Sequence, residues 1–431
     1  MEISIVGAGG TIGRQIAIGL AHQKLLPATG RLQLVGHAGG PSEQTLPGIA
    51  ADLADAFAED IPEIDLAFSP ADVLGDIIIL AAGATVGPGG PQSRQELAGR
   101  NAAVVDSCAR AIAQNGHGEE LVLVLTNPVE ASVSICCRHL DRRRVFGMGA
   151  YLDTLRFRRE IAAELGVRRQ RVQGLVLGEH GPRMVPCWST VSVYGFGTPD
   201  GQARLNALQR PNDPPALEAC NTIAEMVRTQ GAKAAYEFAA GYGPALRAVV
   251  KSNIAQLSGA RTPAGTAEMI LRLLSTLISG GRVMTAAQVL LEGEFLGIHG
   301  VVGAPVVMTL NGMDRLVSFD LPAEEREAVL NAVYRDPSGL PARTAQLSGR
   351  KAETREYRCA LTMKTSTRPG VLERIVGIFA DRGINLDEVV ASAQPQAGIS
   401  LRFSASETVK DYLTRRLLRV AEVSDARIEA G

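Results

Sequence analysis

The feature that most narrows the fold stands at the very start of the chain. An apolar run at 2–6 (EISIV) leads straight into glycines spaced G-x-x-G-x-x-G at Gly7, Gly10 and Gly13, with Gly9 as an extra. Beyond them Ile12, Ile16, Leu20 and Ala21 recur at helical spacing through 11–26. In a strand–turn–helix setting such glycines act together. They allow the tight turn, let backbone approach a pyrophosphate, and let the helix pack on the strand. The first helical N–H groups then hold phosphate charge. Gly7, Gly9, Gly10, Thr11, Ile12 and Gly13 are therefore candidate cofactor-binding residues.

The alternation continues downstream. Apolar runs at 32–35 (LQLV), 76–82 (DIIILAA) and 120–125 (ELVLVL) are separated by helical stretches such as 95–114. Unbroken apolar runs suit strands buried on both faces of a parallel sheet. The pattern predicts a doubly wound parallel α/β sheet of the Rossmann type over 1–148. From 149 to 334, helical stretches at 216–240 and 265–278 and strand candidates at 282–292 and 306–318 predict an α+β domain. Polar, proline-rich 198–215 reads as an exposed loop, and 335–355, rich in Ser, Gly, Pro and charge, as a linker. Residues 356–431 follow the order βαββαβ, the ferredoxin-like layout. Three such units suit 431 residues.

Composition limits the partners. A formal net charge of −1 sets up no field for nucleic acid or an anionic membrane, and 4% aromatic residues leave little for base stacking. No apolar run is long enough to span a bilayer, and the first strand begins almost at Met1 without a leader, so a cytoplasmic protein is expected. Cys108, Cys136, Cys137, Cys187, Cys220 and Cys359 form no C-x-x-C pair. They read as small buried hydrophobes in a reducing compartment, with no metal site.

Four further segments follow VGAGGTIG (6–13): SRQEL (93–97), LTNPVE (125–130), GAYLDTLRFR (149–158) and LGEHG (177–181). In this order they resemble the lactate/malate dehydrogenase family, over roughly the first three-quarters of the chain. The resemblance implies an NAD-dependent oxidoreductase that interconverts a small 2-hydroxy acid and its 2-oxo acid, of the malate/oxaloacetate or lactate/pyruvate type. It implies that His180 exchanges the proton, as suits an imidazole that titrates near neutrality. Asp153 would orient His180. Arg156, three residues on and on the same helical face, would grip the substrate carboxylate. An intrahelical Asp153–Arg156 pair is the plainer alternative. Arg94 would polarise the carbonyl from a closing loop, and Asn127 would meet the substrate hydroxyl or the nicotinamide. Thr266 would line the pocket or serve as a helix N-cap. Ala82, Gly83, Asn101 and Asn127 would border the cofactor.

Two positions depart from the family pattern. Gly36 stands where members usually place the Asp that binds the ribose hydroxyls, with His37 and Ser42 close by. NAD is the expected cofactor, with NADP as the alternative. Malate-type members carry a second Arg in a segment like ARKPG. Here that segment is ATVGPGGPQSR, which places Val86 at the discriminating position. A substrate with a second carboxylate would find no cation there, which favours a monocarboxylic or apolar-tailed acid unless Arg183 supplies the charge from another side. Two rival readings exist. One is a catalytically silent NAD or amino-acid sensor on a dehydrogenase scaffold. The other is an NAD-dependent glycosidase-like enzyme whose metal would need Cys187 and His180. At the C-terminus, STRPGVLERIVGIFADRGINLDEV (366–389) resembles the start of an ACT domain. That implies an amino-acid effector or a dimerisation module, and a homodimer or homotetramer.

Overall fold

A computed structural model describes residues 1–27, 29–58, 60–84, 94–210, 212–260, 263–336, 357–366, 370–392, 398–420 and 422–430. Strands β1 (Glu2–Val6), β2 (Arg31–Val35), β3 (Glu63–Ala67), β4 (Ile77–Leu80), β5 (Leu121–Val124) and β6 (Val145–Gly147) form a parallel sheet in the order β3-β2-β1-β4-β5-β6. This is the doubly wound dinucleotide order. Helices α1 (Thr11–His22), α2 (Pro41–Phe57), α3 (Arg94–Asn115) and α4 (Val129–Cys137) cover it. Alternate strand residues serve opposite cores, which is why the apolar runs are unbroken. Ile3, Ile5, Ile77, Ile79, Leu121 and Leu123 pack with α1 and α2. Ile78, Leu80, Val122 and Val124 pack with α3 and α4.

The second region adds α5 (Gly149–Leu165), β7 (Val172–Gly178), β8 (Met184–Val193), α6 (Pro199–Asn206), α7 (Ala216–Ala239), α8 (Pro244–Leu257) and α9 (Pro263–Ile278). It continues with β9 (Val283–Glu292), β10 (His299–Thr309), β11 (Gly312–Leu316) and α10 (Ala323–Asn331). Its strands extend the same sheet as β6-β9-β10-β7-β8, joined to β6 antiparallel through Gly147 and Gln288. The run at 306–318 is a hairpin, not one strand: the chain turns at Gly312, where φ is +101°. The expected loop at 198–215 contains α6. Thr198 caps it by accepting from the Gly201 N–H at 3.2 Å, Pro199 opens it, and Leu205 is buried against its neighbours.

The C-terminal region folds as β12 (Tyr357–Thr365), α11 (Val371–Ala380), β13 (Leu386–Ser392), β14 (Gly398–Ala405), α12 (Glu407–Leu417) and β15 (Val423–Ala430). Its antiparallel sheet has the order β13-β14-β12-β15, the ferredoxin-like layout. It docks by its helices on the N-terminal edge of the parallel sheet. Leu74 joins its core. The Tyr412 hydroxyl donates to the Leu74 carbonyl at 3.3 Å, and its ring meets His117 edge-on at 5.1 Å. Arg416 pairs with Glu2, both nearly buried, and Arg382 pairs with Asp76. Arg419 reaches Asp65 at 3.0 Å and Asp72 at 2.9 Å.

Candidate active site

At the nucleotide end, β1 turns into α1 through Gly7, whose φ of +92° is a glycine conformation. A Cβ on Gly7 would lie 2.7 Å from the Ala82 nitrogen, and one on Gly13 only 2.5 Å from the Gly7 carbonyl. The turn is thus closed on one side by the end of β4 and on the other by α1. Gly10 is the N-cap and no side chain caps the helix. The positive end of the α1 dipole therefore points at a cradle lined by backbone, which suits a pyrophosphate.

At the end of β2, a side chain in place of Gly36 would be crowded. A Cβ on Gly36 would meet Leu46 and Ser42 at 2.8 Å, because α2 packs directly on this residue. The Ser42 hydroxyl accepts from the His37 N–H at 2.8 Å. The first turn of α2 still sets a carboxylate against this loop, since Glu43 accepts from the Gly39 N–H at 2.7 Å. Gly83 lies against Asn101, which is 2% exposed. The Asn101 amide braces two loops: it accepts from the Ala84 N–H at 2.7 Å and donates to the Ala84 carbonyl at 3.1 Å and the Asn127 carbonyl at 2.7 Å. Asn127 itself is exposed, and its peptide bond to Pro128 is cis.

At the chemical end, α5 carries Asp153 and Arg156 one turn apart. Asp153 is 1% exposed and bonds His180 and Arg156 at once. Its Oδ2 lies 2.6 Å from His180 Nδ1 and its Oδ1 accepts from Arg156 Nη1 at 3.0 Å. The orienting pair and the plain intrahelical pair therefore coexist. Burial opposes the charge of Asp153, but the charges and hydrogen bonds of His180 and Arg156 outweigh it and hold the carboxyl below its usual range. The β7–β8 loop that bears His180 seats its ring on Gly149: a Cβ there would lie 2.5 Å from His180 Cγ. The His180 backbone N–H donates to Glu130 Oε1 at 2.6 Å.

Other candidates fall elsewhere. Arg94 is the first residue of α3, but its side chain, like all of Val86, lies outside the described residues. Thr266 sits half-buried inside the first turn of α9, which already starts at Pro263, so it is not the N-cap. Arg183 pairs with Glu179 at 3.2 Å and donates to the Asn331 carbonyl, so its charge is engaged beside α10. All six cysteines are buried and outside disulfides. Cys187 is fully buried within the β7–β8 ladder opposite Leu175, and burial pushes its thiol pKa well up, so it is no companion ligand to His180. Among the described residues, no group of three or more His, Cys, Asp and Glu side chains converges as a metal site, and no helix is long and apolar enough to cross a membrane.

Glu130 and Gln288 were not among the residues singled out by sequence. One signal was legible: a Glu inside VEASVSICC, an otherwise apolar or small-residue helix. Gln288 carried none.

The site can be set beside known proteins. Residues 1–147 match the NAD binding domain of lactate/malate dehydrogenase, and 150–209 match the alpha/beta C-terminal domain of the same family. A malate dehydrogenase of Geotalea uraniireducens is 33% identical over 342 residues, covering 77% of this chain and 95% of the relative. An L-2-hydroxycarboxylate dehydrogenase (NAD(P)(+)) of Methanocaldococcus jannaschii is 28% identical, covering 75% and 93%. The structure of the malate dehydrogenase from Aeropyrum pernix shares the fold, with a TM-score of 0.60 at 23% identity, covering 77% and 95%. The last quarter of the chain lies beyond these matches. The chain belongs to the lactate/malate dehydrogenase family and is an NAD-dependent 2-hydroxy-acid dehydrogenase.

Proposed function

We propose that His180, Asp153, Arg156 and Arg94 carry the interconversion of a small 2-oxo acid and its 2-hydroxy acid. The observation that carries this reading is the contact between His180 and Asp153, 27 residues apart, with Arg156 on the same carboxylate. When bound in the Gly7–Gly13 cradle, NAD supplies the two-electron reduction of the carbonyl carbon. Asp153 holds Nδ1 of His180, and Nε2 gives a proton to the carbonyl oxygen or takes it back. The buried Asp153 carboxylate fixes the orientation of the ring for that transfer. Arg156, whose side chain keeps 26% exposure, offers its remaining N–H groups to the substrate carboxylate. Arg94, at the start of α3, completes the charge around the oxygen, and exposed Asn127 bonds substrate or nicotinamide.

Finer features follow the same physics. Val86 in place of a cation favours 2-oxo acids with an uncharged tail. Gly36 removes one source of repulsion toward a 2′-phosphate while Glu43 leaves another, so NAD ranks ahead of NADP. The units are a cofactor domain (1–148), a catalytic domain (149–334), a linker (335–355) and an ACT-like domain (356–431) for an amino-acid effector or self-association. Edge strand β13 exposes Val389 and Val390, which supports pairing of two copies into a homodimer or homotetramer. A cytoplasmic location is consistent with six reduced, buried cysteines. The test is His180→Ala, with turnover expected to fall by orders of magnitude while NADH binding persists; unchanged turnover overturns the reading.

A further inference from the structure

We infer that Glu130 and Gln288 form a buried positioning pair that fixes where His180 stands relative to Asp153; this rests on the reading of His180 as the proton carrier. All nine residues of α4 are buried, Glu130 among them at 1% exposure. A carboxylate at such depth is costly unless hydrogen-bonded. Its Oε1 receives two N–H donors, the His180 main chain at 2.6 Å and Gln288 Nε2 at 3.2 Å. Gln288 is fully buried in β9, and its Oε1 accepts from the Ala150 N–H at 3.0 Å. That N–H belongs to the first turn of α5, whose N-cap residue, Met148, makes no side-chain cap hydrogen bond. Gln288 therefore supplies an acceptor that the helix start lacks.

The connections close a ring. Gln288 holds the start of α5 and passes a hydrogen bond to Glu130. Glu130 holds the main chain of His180, and the His180 ring returns to Asp153 on α5. His180 is gripped at two points, and Gln288 references one to the other. It stands where β9 meets β6 across Gly147, so the anchor is the sheet itself and not a loop. Groups held this way keep a proton donor within the fraction of an ångström that catalysis demands.

The test uses the full-length enzyme with NADH and a 2-oxo acid. Glu130→Met and Gln288→Met each break the link, whereas Glu130→Gln keeps an amide oxygen where both donors meet. Each Met variant is expected to lower kcat by about 10-fold to 100-fold, with substrate KM and NADH affinity within about twofold. Glu130→Gln is expected to keep most of kcat. Wild-type kcat in Glu130→Met overturns the inference, and it does so even if Gln288→Met fails to fold. A kcat in Glu130→Gln as low as in Glu130→Met overturns it as well. His180→Asn is run in parallel: wild-type turnover there overturns the reading of His180 itself, whereas its collapse beside a silent Glu130→Met overturns only the positioning pair.

Discussion

Gly149→Ala separates placement of the proton carrier from its presence. The new methyl would stand 2.5 Å from His180 Cγ and 2.7 Å from His180 Cβ. Carbon atoms rest about 3.5–4.0 Å apart, so the imidazole must retreat by about 1 Å. The His180–Asp153 contact, now 2.6 Å, would stretch to about 3.6 Å, past the range of a hydrogen bond. A misplacement of about 1 Å costs on the order of 100-fold in rate, equal to roughly 2.7 kcal/mol of barrier. Overpacking costs the fold about 1–3 kcal/mol, offset in part because Ala is up to about 1 kcal/mol better than Gly within a helix. Steady-state turnover of NADH with a 2-oxo acid reads kcat, nucleotide fluorescence reads cofactor affinity, and a thermal melt reads stability. The expected result is a collapsed kcat with cofactor affinity unchanged and a modest drop in melting temperature. A kcat within about twofold of the parent would refute the seating of His180 on Gly149.

The remaining predictions probe the nucleotide loop and the C-terminal dock. Gly36→Asp forces a side chain into α2 and should cost about 1–3 kcal/mol of stability by overpacking; an unchanged melting temperature contradicts the packing argument. Arg416→Met leaves Glu2 buried without its partner and should cost about 3–5 kcal/mol in a denaturant titration, part of it recovered by adding Glu2→Gln. Burial lowers the pKa of His117 below its usual 6.5, although Glu120 and Glu119 pull the other way and Arg144 assists. The unfolded chain then takes up the proton first, so this contribution to stability is whole above about pH 6.5 and is lost as pH falls toward the lower folded value. Its Nδ1 accepts from the Glu119 N–H at 3.1 Å and would have to surrender that bond, while Nε2 faces Asp76 at 3.4 Å. His117→Gln should flatten the stability curve just below about pH 6.5; the same slope in both proteins contradicts the assignment.

Much of this was legible in the sequence because it follows from short-range pattern. The parallel strands announce themselves as apolar runs, since Ile77–Leu80 and Leu121–Val124 face a core on both sides. The glycine turn is legible because backbone contacts at Gly7 and Gly13 admit no side chain. The pairing of Asp153 with His180 joins segments 27 residues apart and came only through likeness to a family. α6 was missed because polar composition outweighed the cap signal of Thr198 and Pro199. Gln288 could not be found at all: a glutamine in a strand carries no mark of the acceptor it offers to another helix. The dock of the C-terminal domain was equally silent, because Glu2, Arg31 and Asp65 look like ordinary strand-edge charges until Arg416 and Arg419 cover them.

The most direct measurement is NADH oxidation by the full-length protein across oxaloacetate, pyruvate and branched 2-oxo acids, repeated with NADPH. The account predicts turnover of at least one acid, faster with NADH than with NADPH, and lost in His180→Ala. Cofactor bound firmly with no acid reduced would contradict it.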